Sequence, residues 1–449
     1  MSEYSRNFAV LMKILVVGSG AREHAICKAL SKSKERPTIL SFCNTHNPGI
    51  ADVSVRMEMG DLLDLQHLQE FAKQEKPDFA IIGPEDPIAA GAADTLAEVG
   101  IPSIAPTKRL ARIESSKSFT RKLIRKYEIA GNPKYQVFFE EEGMLEFAKE
   151  CGEIVVKFDG LAGGKGVRVQ GDHFSTVEEG LTYAKECLKE SGKVLLEEKI
   201  VGQEFSLMFF SDGETLVPMP VVQDNKRALV DDEGPNTGGM GSISDANHSL
   251  PFLTQKDIDQ AKEITTKVIG ALQAECEEKY KGIIFGGFIA TKDGVRLVEY
   301  NARFGDPESL NVFSVLASDF VDICKAILEG TLKKMEVEFY EQATVCKYIV
   351  PEGYPLKPVK DVPILIDDAK IPEEVELFYG NVDVLEGKLL LKGSRAVAMV
   401  GIADSLPEAQ YLSEEATRAV EGPVFHREDI GTGRLLRKRK EMMEQLRKA

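Results

Sequence analysis

The sequence has no Cys-x-x-Cys pair and no His-Glu-x-x-His segment, and its six histidines are scattered. Its seven cysteines, at positions 27, 43, 151, 187, 276, 324 and 346, are odd in number and far apart. A disulfide framework and a zinc site are therefore excluded as organising features; the pattern fits reduced thiols in a cytoplasmic protein. Long apolar runs are missing too. The most apolar early segment, Phe8 to Val17, is interrupted by Lys13, falls far short of a bilayer span and lacks a small-residue cleavage pattern. No membrane partner is expected. An excess of positive charge is also absent: the net charge is −16, which argues against a nucleic-acid-binding surface. Lysines and arginines set among glycines are then local features suited to a small anionic ligand. No internal repeat or low-complexity tract is present.

What the sequence does have is length and glycine-rich punctuation. A chain of 449 residues exceeds one ordinary core and predicts roughly two to four domains. Residues 1–11 read as an appendage, because Met12-Lys13 is a natural start for the strand that follows. The densest glycine segment lies between Glu153 and Val169. A β-branched run, Ile154 to Val156, leads to Lys157; Gly160, Gly163, Gly164 and Gly166 surround Lys165; Val167 to Val169 reads as a return strand. Such a loop lets backbone N–H groups approach an anion, and the two lysines add charge. The spacing is not that of a P-loop, since no Ser or Thr follows Lys165 and a strand, not a helix, comes next. A strand–loop–strand flap over phosphates is one reading and a plain glycine hairpin the other.

Before this flap the chain alternates strands and helices. Lys13 to Val17 is a buried-type strand that enters Gly18-Ser19-Gly20-Ala21-Arg22-Glu23-His24, with an amphipathic helix expected over Ala25 to Ser33. Glu23 stands where a dinucleotide fingerprint needs its third glycine. The turn thus fits a single phosphate held by a helix N-terminus and Arg22 better than NAD, with an ordinary βα turn as the alternative. Strands at Thr38 to Cys43 and Phe79 to Ile82 and helices at Leu65 to Gln74 and Ala89 to Val99 complete a small doubly wound parallel sheet. Its ligand edge is at the C-termini of these strands. A helix from Ser115 to about Tyr127 starts with Lys117.

Further on, Val194 to Ile200 is a strand edge on which an adenine could lie, and Glu204 could bond a ribose; a strand end with solvated glutamates is the alternative. Gln223-Asp224-Asn225-Lys226-Arg227 gathers an acid, two amides and two cations, and Gly234 to Gly241 suits close backbone approach to a ligand. Glu299 and Asn301, two apart on the strand Val295 to Asn301, present oxygens on one face and suit Mg²⁺; Arg303 follows, placed to stabilise a transferring phosphoryl group. A structural Arg–Glu pair is the competing reading there. A helix is expected over Val312 to Leu328. The region from Ala343 to Gly431 shows no comparable cluster and reads as packing, and the basic tail from Arg434 reads as a solvated helix.

The order of these parts resembles the ATP-grasp superfamily, and within it the phosphoribosylamine–glycine ligase (glycinamide ribonucleotide synthetase) family. The resemblance is carried by Gly18 to His24, Gly83 to Glu85, Lys157 to Gly166, Gln223 to Arg227, Gly234 to Gly241 and Asn301 to Glu308, and spans Met12 to about Gly431. It implies an α/β and α+β multidomain fold. An N-terminal doubly wound domain (12–106) would precede an ATP-grasp domain (107–335, lid about 130–195) and a C-terminal mixed domain (340–432). It implies that ATP, with Mg²⁺ or Mn²⁺, activates glycine as glycyl phosphate for attack by 5-phosphoribosylamine, in purine biosynthesis, by a monomer or small homo-oligomer.

By the same resemblance, Lys117, Lys157, Gly160, Gly163, Gly164, Lys165 and Gly166 would contact ATP phosphates. Glu197, Glu198, Lys199, Ile200 and Glu204 would hold the nucleoside, and Glu299 and Asn301 the metal. Arg303, Lys157 and Asp306 would be catalytic. Asp224, Lys226, Arg227, Asn236, Thr237, Gly238 and Gly239 would line the amine and glycine sites, and Gly18, Gly20 and Arg22, a domain away, would take the sugar phosphate. The sequence departs from the family pattern at Asn225, where histidine is usual, at Ser309-Leu310, and at Asp86 and Ile88; no metal or phosphate ligand is lost. Another ATP-grasp ligase or carboxylase of nucleotide metabolism, and a non-catalytic nucleotide sensor, are the alternatives.

Overall fold

Short apolar runs capped by glycine turns build the first unit. In this computed structural model the described residues are 12–163 and 166–448. Five parallel strands lie in the order Arg56–Met59, Thr38–Cys43, Lys13–Val17, Phe79–Ile82, Ser103–Ile104. The central three are buried on both faces, as near-continuous Val, Ile, Leu and Phe runs require of a sheet covered by helices. The order reverses between Lys13–Val17 and Phe79–Ile82, so the turns after these two strands flank the crevice at the switch point. The strand Arg56–Met59 was not expected; its Arg-Met-Glu-Met sequence lacks the β-branched signal.

Two antiparallel sheets follow. One orders Tyr135–Phe138, Val194–Glu198, Ile154–Phe158, Val167–Val169. The other orders Leu216–Pro218, Gln203–Asp212, Lys281–Thr291, Gly294–Asn301 and carries the predicted metal strand. The third large sheet draws on two parts of the chain. Gln223–Asp224 and Gly241–Ser244 pair through the latter with Ala343–Pro351, which continues to Val397–Ala403 and Val375–Tyr379. The middle of the chain is thereby tied into the C-terminal sheet. Among the described residues no helix is long and apolar enough to cross a membrane.

Several helices differ from expectation. The first runs Ala21–Ser31, not from Ala25, because Glu23 reaches back to the Gly20 N–H (2.6 Å) and caps the turn. The helix expected over Ala89 to Val99 is two, Glu85–Ala90 and Ala92–Ala97, divided at Gly91 with φ of 107°. Likewise Val312 to Leu328 is Glu308–Ser314 and Phe320–Glu329. The tail helix, Gly433–Lys448, is not merely solvated: Leu435, Arg439 and Met443 are buried.

The Arg303–Asp306 turn is held from below by aromatic packing. Phe304 is buried and its ring centroid lies 4.9 Å from Phe313, 6.1 Å from Phe320 and 6.2 Å from Phe210. Removing that ring deletes buried area and these edge contacts together. Phe304→Ala is expected to lower stability by about 3–5 kcal/mol, read from the shift in a urea-unfolding midpoint.

Candidate functional site

The site is built around an irregularity in one strand pair. Lys281–Thr291 and Gly294–Asn301 pair in register from Phe285↔Asn301 to Gly287↔Glu299, then resume at Phe288↔Leu297, leaving Val298 as the extra residue of a β-bulge. The bulge sits opposite Gly287 and Phe288, next to the Gly286-Gly287 pair. Its freed carbonyl, Val298 O, accepts from Lys157 Nζ (3.0 Å) and Arg121 Nη2 (2.7 Å). Beyond the bulge, Glu299 and Asn301 stay two apart on one face, both half-buried.

Lys157 lies within the strand Ile154–Phe158, not in the loop, and is buried. Its ammonium contacts Glu197 (2.8 Å), which also takes the Arg121 guanidinium (2.5 and 3.0 Å). Burial pushes the Lys157 ammonium below its ordinary range while Glu197 pulls it back. The Glu197 carboxylate is engaged by these cations, so its strand edge offers main-chain groups to a ligand. Glu198 accepts from the Lys134 N–H (2.9 Å), Lys199 pairs with Glu153 (3.3 Å), and Ile200 follows the strand end.

The hairpin between Ile154–Phe158 and Val167–Val169 forms as expected, in the register Lys157↔Val167. Lys117, first residue of the helix Lys117–Lys126, donates to Gly160 O (2.9 Å), and Ser118 N donates to the Asp159 carboxylate (3.1 Å). Lys117 and the glycine loop are thus one assembly. Gly163 has a φ of +53°; Gly164 and Lys165 lie outside the described residues.

Glu204, Asp224, Lys226, Gly287, Val298 and Glu299 line one small cavity. Lys226 Nζ pairs with Glu204 (2.9 Å). Glu299 feels burial first, which raises its pKa, but Lys226, Lys117, Lys157 and Arg303 together hold it below the usual carboxylate range. Asp224 is the opposite case: burial and the neighbouring Glu308 carboxylate push it well up, and its Oδ1 is buried with no hydrogen-bond partner among the described residues. Gly239, at φ +113°, sits where a Cβ would meet Asp224 Oδ1 at 2.5 Å and Pro307 Cδ at 2.6 Å. Only glycine lets these three segments converge. Thr237 N and Oγ1 both donate to Lys226 O (2.8 Å), and Asn236 pairs with Arg227, whose guanidinium reaches Asp172 beyond the strand Val167–Val169 (3.7 Å).

Arg303 lies past the end of the strand and pairs with Glu85 (3.2 Å) and Glu114 (3.3 Å). Arg22 donates to Phe304 O (3.2 Å) and lies 3.8 Å from the same Glu85 carboxylate. The Gly18–Arg22 turn is therefore not a domain away from Arg303; the two guanidinium groups share one carboxylate. The Glu23 side chain lies beneath both switch-point turns, where a Cβ on Gly18 or Gly83 would strike it at 2.6 or 1.9 Å. Those glycines make room for the residue that caps the helix.

Four participants escaped sequence reasoning: Arg121, Glu114, Tyr348 and Arg395. Arg395, from the C-terminal region read as packing, donates to Gly238 O (2.6 Å) and Asp306 O (2.8 Å), pairs with Asp306 Oδ2 (3.1 Å) and lies over the Tyr348 ring. Tyr348 OH donates to the other oxygen of Asp306. None of these residues sits in a motif of its own; only the acid partners and loop carbonyls they serve do.

Glu114 accepts from Ala302 N (2.7 Å) and is fully enclosed; burial pushes its carboxyl up to about 7, against the pull of Arg303. Because its folded pKa lies above the unfolded value, its favourable contribution is complete below about pH 4.5 and is lost as pH rises through about 7. Glu114→Gln should therefore gain stability relative to the parent chain between pH 4.5 and 7 and hold that gain above 7, as read from denaturant midpoints across pH.

Three family models match the chain in succession: phosphoribosylglycinamide synthetase N domain at residues 12–114, its ATP-grasp (A) domain at 115–309, and its C domain at 344–433. The chain is 45% identical to a phosphoribosylamine–glycine ligase of Methanococcus maripaludis, with 97% of this chain and all of that protein covered. It is 46% identical to one of Methanocaldococcus jannaschii over the same shares. A crystal structure of the phosphoribosylamine–glycine ligase of Thermotoga maritima is similar with a TM-score of 0.78 and 28% identity, covering 93% of this chain and 100% of that one.

Proposed function

Because the chain belongs to the phosphoribosylglycinamide synthetase family, we infer that it is an ATP-dependent ligase that joins glycine to 5-phosphoribosylamine, giving glycinamide ribonucleotide, ADP and phosphate in purine biosynthesis. The observation that carries the site assignment is that Lys117 and Lys157 bear on the glycine hairpin and the bulge, through Gly160 O (2.9 Å) and Val298 O (3.0 Å), beside the strand that presents Glu299 and Asn301. A polyphosphate is the substrate such a pair of cations suits.

A carboxylate is a poor electrophile. In the proposed reaction a glycine carboxylate oxygen attacks the γ-phosphorus, ADP leaves, and the resulting acyl phosphate is attacked by the amine with loss of phosphate. The first transfer demands positioning and charge neutralisation more than covalent help. Lys117 and Lys157 would hold the phosphates, with the Gly160, Gly163 and Gly166 backbone above them. Main-chain groups of Glu197 to Ile200 would face the adenine and Glu204 the ribose. Glu299 and Asn301 offer hard oxygen donors that fit Mg²⁺ or Mn²⁺, which would supply further neutralisation of phosphate charge. Among the described residues no three acidic or histidine side chains gather, so other oxygens must complete that coordination.

Arg303 would face the acyl phosphate, with Asp306, held by Arg395 and Tyr348, shaping the turn next to it. Asp224, Lys226, Arg227 and Asn236 to Gly239 would receive glycine and the amine. Gly18, Gly20 and Arg22 would take the sugar phosphate, a placement supported by the carboxylate Arg22 shares with Arg303. The hairpin would exclude water from an acyl phosphate that hydrolyses readily. The chain would divide into domains at 12–106, 107–335 with its lid, and 340–432, and act in the cytoplasm as a monomer or small homo-oligomer.

ADP release is expected only when ATP, Mg²⁺, glycine and freshly generated phosphoribosylamine are all present, with glycinamide ribonucleotide found by mass. Glu299→Ala should lower kcat by roughly 100-fold or more. Turnover that ignores the omission of glycine would refute the assignment of the carboxylate substrate.

A further inference from the structure

The tail helix Gly433–Lys448 begins where the C-domain match ends, yet it reaches the strand that bears Asp224. Arg439 is buried, and its two terminal nitrogens donate to Gln223 Oε1 and to Asn225 Oδ1 (2.5 Å). Both amides are oriented by second bonds: Gln223 Nε2 donates to Glu204 O (2.8 Å) and Asn225 Nδ2 to Gly241 O (3.1 Å). Their oxygens therefore have to face the guanidinium. Arg439 is in turn held near Asp232 (3.6 Å), which Arg427 grips at 2.9 Å while also binding Asp429.

On an extended segment, alternate side chains face opposite ways. Gln223 and Asn225 point to Arg439; Asp224 and Lys226 point to the cavity that also holds Glu204 and Glu299. We propose that Arg439 is a positioning residue for the ligase site, clamping the odd-numbered face of residues 223–226 so that Asp224 and Lys226 are presented to the substrate. The clamp needs a fork. A guanidinium spans two amide oxygens, and without it both would be buried with no partner, since Gln223 and Asn225 are 3% and 2% exposed.

The kinetic arm of the test rests on the ligase reading. In the full-length chain, Arg439→Met is compared with Arg447→Met, which removes a tie of the same helix to Asp257 (2.6 Å) and Phe252 O (3.3 Å), at a point away from residues 223–226. Arg439→Met is expected to raise KM for glycine about tenfold while KM for ATP stays within about twofold, and Arg447→Met to leave both unchanged. Adding Asn225→Ala to Arg439→Met should worsen the defect by less than about twofold, because the two residues act as one unit. Equal effects of the two arginine variants, an equal rise in KM for ATP, or multiplicative effects in the double variant would overturn the proposal. Backbone hydrogen exchange supplies a readout free of turnover: faster exchange at residues 223–226 in Arg439→Met alone supports the clamp, and the same rates in both variants refute it. A parent chain with no glycine-dependent turnover would overturn the ligase reading, and the exchange result would still decide the clamp.

Discussion

A cation cannot be kept out of water without an anion or a carbonyl to replace its hydration, and this site gathers several. Each has such a partner. Lys157 has Glu197 and the bulged Val298 carbonyl, Lys226 has Glu204, Arg303 has Glu85 and Glu114, and Lys117 has the Gly160 carbonyl. These partners come from all along the chain, so the electrostatic demand of these enclosed cations dictates which sheets and loops must meet. The same pairs set the cations in place before any ligand arrives, and a phosphate chain would exchange partners with them without recruiting them from solvent.

The β-bulge and the shared sheet are the two devices that satisfy this demand. The bulge takes one carbonyl out of the ladder and aims it at two cations, while leaving Glu299 and Asn301 on a common face. The shared sheet brings Gln223–Asp224 and Gly241–Ser244 against Ala343–Pro351, which puts Tyr348 and Arg395 within reach of Asp306 and the Gly238 carbonyl. The C-terminal region is thus part of the site's walls, not only ballast for it.

Much of this was readable in the residues. Lys13–Val17, Thr38–Cys43 and Phe79–Ile82 form with the bounds that their apolar runs imply, and the Glu299/Asn301 face follows from strand alternation alone. What escaped has a common cause. Arg121, Glu114, Arg395 and Arg439 act on partners tens or hundreds of positions distant, and a single arginine or glutamate in an ordinary helix or loop carries no periodic signal. Gly286-Gly287 inside a strand was a visible cue for the bulge, since paired glycines weaken a strand and mark irregular pairing. The split helices follow from local backbone needs: Gly91 adopts a left-handed conformation that ends a helix which hydropathy alone would continue.

The shared sheet also has a meaning for how the chain is made. Translation delivers Gln223–Asp224 and Gly241–Ser244 well before Ala343–Pro351, the strand against which Gly241–Ser244 pairs. While the ribosome is still adding the intervening residues, that strand presents an unpaired edge, an open template for other chains. The Gly239 turn and the Asp224 strand therefore reach their final form only late in synthesis, so a nascent chain cut short before the C-terminal strands carries Lys117, Lys157 and Glu299 and still lacks the frame that holds Gly239 against Asp224.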